Sequence, residues 1–80
     1  MATHELKTWP EFYLALEKGR KTFEVRKDDR GFMVGDLLVL KEWDPRRELY
    51  TGREMHKEVS YRMPGGQFGI QPGYVVLGLY

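Results

Sequence analysis

Four consecutive aliphatic residues, Leu37-Leu38-Val39-Leu40, constrain the fold of this chain most strongly. A strand with apolar side chains on both faces has to be covered from both sides, so the run predicts the most buried strand of the protein. The chain has 80 residues. A chain of this size buries only about 60 to 65% of its unfolded surface. We therefore predict one domain, residues 1–80, built closely around this strand.

A helix is predicted ahead of the buried strand. Thr8-Trp9-Pro10-Glu11 fits a capping box, with Thr8 as the N-cap and Pro10 in the first turn. Gly19 is placed to end the helix in a left-handed turn. The prediction is a helix from about Trp9 to Lys18, with an apolar stripe at i, i+3, i+4 and i+7: Trp9, Phe12, Tyr13 and Leu16.

Further apolar patterns predict four more strands and the connections between them. Asp44–Gly52 carries the proline and glycine of a turn, and Met63–Gly73 has too many backbone breakers for a regular element. We expect Phe32 and Val34 to pack a loop onto the core. The predicted strands are His4–Lys7, Thr22–Lys27, Arg53–Arg62 (with Met55, Val59 and Tyr61 on one face) and Tyr74–Tyr80. Together these elements indicate an α+β, mainly β fold: a small β-barrel of about five strands with one N-terminal helix.

Composition and charge exclude several classes of protein. The chain has no cysteine, so it forms neither a disulfide nor a thiolate metal site. It shows no signal peptide and no apolar run near 18 residues, which predicts a soluble cytoplasmic protein without a membrane partner. The formal net charge of +1 argues against strong, unspecific binding to a polyelectrolyte. The segment from Lys18 to Arg30 is locally basic. This local positive charge fits a patch that binds a phosphate group, and it also fits a face that is simply exposed to solvent.

The strand Thr22–Lys27 is the centre of the functional interpretation. Alternation places Phe23 and Val25 on one face, and Thr22, Glu24 and Arg26 on the other. A polar row of this kind has two interpretations, which the sequence leaves open. One is a solvated strand face with a weak surface ion pair. The other is a ligand site.

Several kinds of catalytic or metal site do not fit the sequence. His4 and His56 have no second histidine at ligand spacing, so we expect no metal and no other cofactor. The single serine, Ser60, lies inside an alternating strand rather than in the strained turn of a hydrolase nucleophile. The glycine-rich loop at Gly65 lacks the GK[ST] ending of a P-loop.

A set of polar residues is left as the candidate site. Guanidinium and ammonium groups donate to a phosphate or a base carbonyl, and Glu24 accepts from an exocyclic amine. Such a mixture suits a nucleotide. Trp9 or Phe68 would stack on a base if exposed, but core packing is the favoured role for both. The candidate ligand-binding residues are Lys7, Lys21, Thr22, Glu24, Arg26 and Gln67.

The chain resembles the ASCH domains, a branch of the PUA-like superfamily of small β-barrels. The resemblance rests on His4 to Glu11, on Gly19-Arg20-Lys21-Thr22-Phe23-Glu24-Val25-Arg26-Lys27, on Val34-Gly35-Asp36 and on Gly65-Gly66-Gln67-Phe68-Gly69, and it covers nearly the whole chain. It is nearest to a small ASCH-like group of unassigned function, frequent in bacteria and phages. PUA-like barrels commonly handle RNA or nucleotides. The resemblance implies a cleft beside the helix, lined by Lys7, the Gly19–Thr22 turn, Glu24 and Arg26.

We expect an RNA-binding or nucleotide-binding module, and two alternatives stay open. Small amidohydrolases of one ASCH branch deacetylate acetylated cytidine, and ribonuclease activity is associated with the wider family. Lys21 and Glu24 would be the catalytic residues of such an enzyme. However, Glu24 stands where that branch has its catalytic threonine, and it supplies no hydroxyl nucleophile. The second alternative is a protein-interaction or structural domain. The sequence does not predict the oligomeric state.

Overall fold

The structure, a computed structural model, describes residues 1–80 and contains five strands and one short helix. The order of elements is the predicted one, and the mainly β, α+β fold class is confirmed. The single helix has eight residues, and no helix is long and apolar enough to cross a membrane. The elements are β1 (Thr3–Thr8), α1 (Pro10–Glu17), β2 (Phe23–Lys27), β3 (Leu37–Asp44), β4 (Leu49–Pro64) and β5 (Tyr74–Leu79).

The five strands form one open sheet in the order β1-β3-β4-β5-β2. β1 runs parallel to β3, and the other neighbours are antiparallel. β1 and β2 are the two edges, and no backbone ladder joins them, so the predicted closed barrel is not confirmed. Two guanidinium groups reach across instead: Arg26 Nη2 donates to Lys7 O at 2.8 Å, and Arg30 Nη1 donates to Glu5 O at 2.7 Å. Side chains therefore connect the edges where backbone hydrogen bonds do not.

The core is built around β3, as the aliphatic run predicts. Leu38 and Leu40 are completely buried, and Val39 is nearly so. Phe32 packs onto the core as expected. Val34 does not, because it lies at the outer corner of a turn closed by the hydrogen bond from Asp36 N to Met33 O. The core cluster consists of Leu6, Leu16, Phe32, Leu38, Leu40, Val59, Val75 and Leu77.

The helix ends as predicted but begins differently. Gly19 has φ +74° directly after the C-cap Lys18, which is the left-handed turn that favours glycine. Trp9, not Thr8, is the N-cap, and no side chain caps the first turn. The capping-box prediction is wrong because Thr8 belongs to the parallel ladder of β1, where it pairs with Glu42 and buries its side chain.

The apolar face of β2 is the exposed one. Phe23 and Val25 share a face, as alternation predicts, but they are 45% and 47% exposed. Glu24 is on the inner face and only 5% exposed. The pairing with β5 explains this orientation, because Glu24 lies opposite the buried Leu77. Glu24 and Arg26 of the polar row therefore face inward while Thr22 is exposed, and the interpretation as a solvated strand face is wrong for Glu24.

Strand β4 contains an irregularity where its pairing with β5 shifts register between Val59 and Tyr61. Val59 is completely buried, but the extra residue turns Tyr61 outward, so its predicted place on the core face is wrong.

The loop after β4 approaches the backbone of β5 closely at Gly65. A Cβ atom there would overlap Gln71 O of the same loop and lie 2.7 Å from the carbonyl oxygen of Tyr74, the first residue of β5, so only glycine fits.

Candidate ligand-binding cleft

A cleft of about 440 Å³ opens where the two edge strands face each other without a ladder. Its walls are the end of β1, the first turn of α1, and β2 with the turn before it. We call it the edge cleft. Its eight lining residues are Lys7, Thr8, Trp9, Phe12, Lys21, Glu24, Val25 and Arg26.

The carboxylate of Glu24 is the buried acid of the edge cleft. Its Oε2 atom lies 3.4 Å from Lys21 Nζ and 3.5 Å from Arg26 Nε. Its Oε1 atom is fully buried and has no hydrogen-bond partner in the protein. One oxygen is thus held by two cations, and the other is left free to accept.

Thr8 supplies a second unpartnered polar atom in the same cleft. The residue is only 2% exposed, and its Oγ1 atom has no hydrogen-bond partner. Only three buried side-chain polar atoms of the chain lack a partner, and two of them belong to residues that line the edge cleft. An unpaired buried polar group costs roughly 1 to 3 kcal/mol, so native proteins rarely keep one without a reason. A ligand that pairs with both atoms would remove this cost.

Three cationic residues line the same cleft. Lys21 Nζ donates to Phe23 O at 2.6 Å. Arg26 Nε lies near the carboxylate of Glu24 while Nη2 reaches β1. Lys7 Nζ lies 4.1 Å from the centre of the Trp43 ring, a cation–π contact that leaves its N–H groups without a carboxylate partner. Two cations, Lys21 and Arg26, thus lie beside the one carboxylate of the edge cleft, and a third cationic residue, Lys7, lines its wall.

Two aromatic rings at the helix start complete the walls. Trp9 and Phe12 are 50% and 45% exposed and line the edge cleft, whereas Tyr13 and Leu16 are buried. The favoured core role of Trp9 is therefore wrong. The same holds for Phe68, which is exposed but lies in the loop after β4, away from the cleft.

The structure brings together four of the six predicted site residues. Lys7, Lys21, Glu24 and Arg26 all line the edge cleft. Thr22 does not: it is exposed before β2, and its carbonyl oxygen accepts from Leu79 N at 2.9 Å.

Gln67 is also outside the edge cleft. Its Nε2 atom donates to Pro64 O at 2.9 Å within its own loop, and its backbone forms a bridge with Ile70. This loop structure keeps the side chain away from β2.

Sequence reasoning missed Thr8, Phe12 and Val25 as cleft residues. Thr8 was interpreted as a helix cap, which gave its hydroxyl a partner that it does not have. Phe12 belongs to the apolar stripe of the helix and Val25 shares a face with Phe23, so the sequence pattern assigns neither of them to a polar site. One signal in the sequence could have identified them: a chain this small has more apolar side chains at the edges of its sheet than its core can cover.

Two other polar networks lie outside the edge cleft and support the fold. Asp36 is buried, and its pKa falls from 3.8 to about 2, first because Ala2 N donates to Oδ1 and second because His4 Nε2 lies 2.8 Å from Oδ2. This network ties the start of β1 to the start of β3. Arg53 makes two hydrogen bonds of 2.8 Å to the carboxylate of Glu17, which raise the pKa of the guanidinium. It thereby links the helix to β4.

Comparison with known proteins yields one family and one relative. The family model described as a domain of unknown function, DUF3850, matches residues 3–79. A protein of Escherichia phage P2, described as an uncharacterized 12.9 kDa protein in the GpA 3′ region, is 33% identical over 57 residues. The matched region covers 71% of this chain and 50% of the phage protein, so the chain spans about half the length of that relative.

Proposed function

This chain belongs to the DUF3850 family, and we propose that it binds RNA or a nucleotide in the edge cleft. One observation carries the proposal: two buried polar atoms, Thr8 Oγ1 and Glu24 Oε1, lack partners in one cleft that also holds three cations. A purely structural ion-pair network would have no reason to leave both atoms unpaired.

The chemistry of the edge cleft suits the parts of a nucleotide. Lys21 and Arg26 offer charge-assisted donors to a phosphate, while Glu24 and Thr8 offer partners to the polar edge of a base. Trp9 and Phe12 present half-exposed rings on which a base stacks, a contact worth roughly 1 to 3 kcal/mol in proteins that bind single strands. The cleft volume of about 440 Å³ is in the range of roughly 300 to 1,000 Å³ found for small-molecule sites.

A titration against single-stranded RNA of mixed sequence at several salt concentrations tests the proposal. Lys21→Ala should weaken binding and reduce the slope of log K against log salt by about one, because one phosphate contact is lost. Lys57→Ala is the matched control, since Lys57 lies in β4 outside the edge cleft. It should change the salt slope little. Equal effects of the two substitutions, or no binding by the wild type, would contradict the proposed site.

An enzyme acting on a nucleoside or RNA is the second candidate. The observation that favours it is the proximity of Lys21 Nζ to the Glu24 carboxylate, 3.4 Å, in a cleft that also holds the unpartnered hydroxyl of Thr8. Such a set contains a proton donor, a base and a hydroxyl nucleophile. Incubation with acetylated cytidine and with RNA separates the candidates: a product lost in both Lys21→Ala and Glu24→Gln means an enzyme, and binding without product means a module.

We also propose that the family is a branch of the ASCH-like, PUA-like domains and that the protein acts in the cytoplasm. The grouping of Lys7, Lys21, Glu24 and Arg26 in one cleft beside the helix supports the first part. We propose in addition that the sheet closes into a barrel. The hydrogen bonds from Arg26 and Arg30 to the backbone of β1 support this, because they already connect β1 to the β2 side of the sheet. A crystal structure with RNA would test whether a backbone ladder closes the gap.

A further inference from the structure

We propose that the edge cleft selects nucleobases that carry an exocyclic amine, and that Glu24 makes this selection. The inference rests on the proposed function and adds the class of base to it. The cleft would favour cytosine and adenine over uracil and hypoxanthine.

The proposed selection depends on one oxygen of Glu24, whose capacity to accept a hydrogen bond is not used within the protein. Its Oε2 atom is near Lys21 and Arg26, while Oε1 is buried without a partner. A carboxylate oxygen accepts hydrogen bonds and does not donate them. An N–H donor of the ligand is therefore the group that would satisfy Oε1 once it reaches this buried atom.

Cytosine and uracil differ at the atom that would occupy this position. Cytosine carries an amine at C4, and uracil carries a carbonyl oxygen there. An amine donates to Glu24 Oε1, whereas a carbonyl would place two acceptors against each other and leave the carboxylate oxygen unpaired. Sites built to bond a polar group reject analogues that lack it, because their own buried groups then lose a partner.

The neighbouring groups fit the rest of the same base edge. Cytosine and adenine have a ring nitrogen that accepts beside the amine. Lys21 Nζ and the Arg26 guanidinium are the donors next to the Glu24 carboxylate. Thr8 Oγ1 donates or accepts equally well, so it binds either kind of base and contributes no selection. Uracil and hypoxanthine carry an N–H group at that ring nitrogen, so the two cations add to the preference that Glu24 sets.

Two pairs of nucleotides that differ in this group and in the adjacent ring nitrogen, which accepts in one member and carries a hydrogen in the other, test the inference by calorimetric titration of the wild-type protein. CMP should bind at least about tenfold more tightly than UMP, a ratio that corresponds to about 1.4 kcal/mol. AMP should exceed IMP in the same way. These two ratios are measured on the wild type, so they do not depend on the folding of any variant.

Glu24→Gln then tests the residue. An amide presents either an oxygen or an N–H group after a flip, so the CMP to UMP ratio should fall to within about threefold. Glu5→Gln is the control, because Glu5 is exposed, pairs with Lys41 and does not line the edge cleft. It should keep the wild-type ratio.

The outcomes separate the inference from the proposed function. Equal affinities for CMP and UMP, with salt-dependent binding that Lys21→Ala weakens, would overturn the selection and leave nucleotide binding in place. A wild-type ratio kept in a folded Glu24→Gln variant would overturn the role of Glu24. Absence of binding by all four nucleotides and by short RNA would overturn both.

Discussion

Replacing Thr8 with valine should make the protein more stable and weaken its ligand binding. Thr8 is 2% exposed, and its Oγ1 atom has no partner in the protein. Valine has nearly the same shape and a similar preference for strands, so Thr8→Val removes the buried hydroxyl and preserves the packing of β1. A residue that costs stability at a buried position is expected where the side chain serves a ligand.

The size of the effect follows from the cost of the unpaired hydroxyl. Burial of a polar group without a hydrogen bond costs roughly 1 to 3 kcal/mol in mutational data. We expect a gain near the lower limit, about 1 kcal/mol, since local relaxation around a hydroxyl offsets part of the cost. For a domain of this size, that gain raises the melting temperature by about 4 to 8 °C.

Thr51→Val is the control, because it is the same substitution at an exposed residue whose hydroxyl has a partner. Thr51 Oγ1 donates to Glu42 Oε1 at 2.7 Å and accepts from Arg53 N at 3.3 Å. Its removal leaves the buried Glu42 without that donor, so the control should lose about 1 kcal/mol or more. Urea unfolding followed by circular dichroism measures both variants, and an RNA titration accompanies each.

A loss of stability in Thr8→Val comparable to that in Thr51→Val would refute the reasoning, because Thr8 would then have a partner in the folded protein. Stabilisation with unchanged RNA affinity would show that the free hydroxyl is not part of a binding site. Only the combination of higher stability and weaker binding supports the edge cleft.

Two further predictions concern the fold. The pKa of Asp36 is lowered to about 2 in the folded protein, so the unfolded state takes up a proton first as the pH falls. The Asp36 carboxylate therefore contributes roughly 2 kcal/mol to the free energy of unfolding above pH 4, and this contribution is lost as the pH falls toward 2. Urea midpoints of the wild type and of Asp36→Asn should converge over that range, and parallel pH profiles would contradict this. Leu38→Ala should cost on the order of 2 to 5 kcal/mol, since Leu38 is completely buried, whereas Leu14→Ala at an exposed helix position should cost less than about 1 kcal/mol. Similar denaturant midpoints for these two variants would mean that the core is not centred on β3.

The candidate site was predictable in part, for identifiable reasons. Lys21, Glu24 and Arg26 lie within one turn and one strand, so local geometry was enough to group them. Lys7 was grouped with them for its ammonium group, and the family resemblance supported this, since no local pattern joins β1 to β2. Thr8 was not predictable, because the same four residues that fit a capping box also permit a strand that runs up to the helix, and only the pairing with Glu42 decides between them.

The sequence by itself determined the order of the elements, the end of the helix at Gly19 and the burial of β3. Each of these depends on a local pattern, namely a left-handed turn that favours glycine or a run of aliphatic residues that has to be covered. The tertiary structure alone decided which side of β2 faces inward. Alternation with a period of two tells which side chains share a face, but it carries no information about which face is inside. In β2 that choice is made by the pairing of Glu24 with the buried Leu77 of β5, which turns Glu24 to the inner side of the sheet. There the Glu24 carboxylate lies beside Lys21 and Arg26, in the gap between the two edge strands.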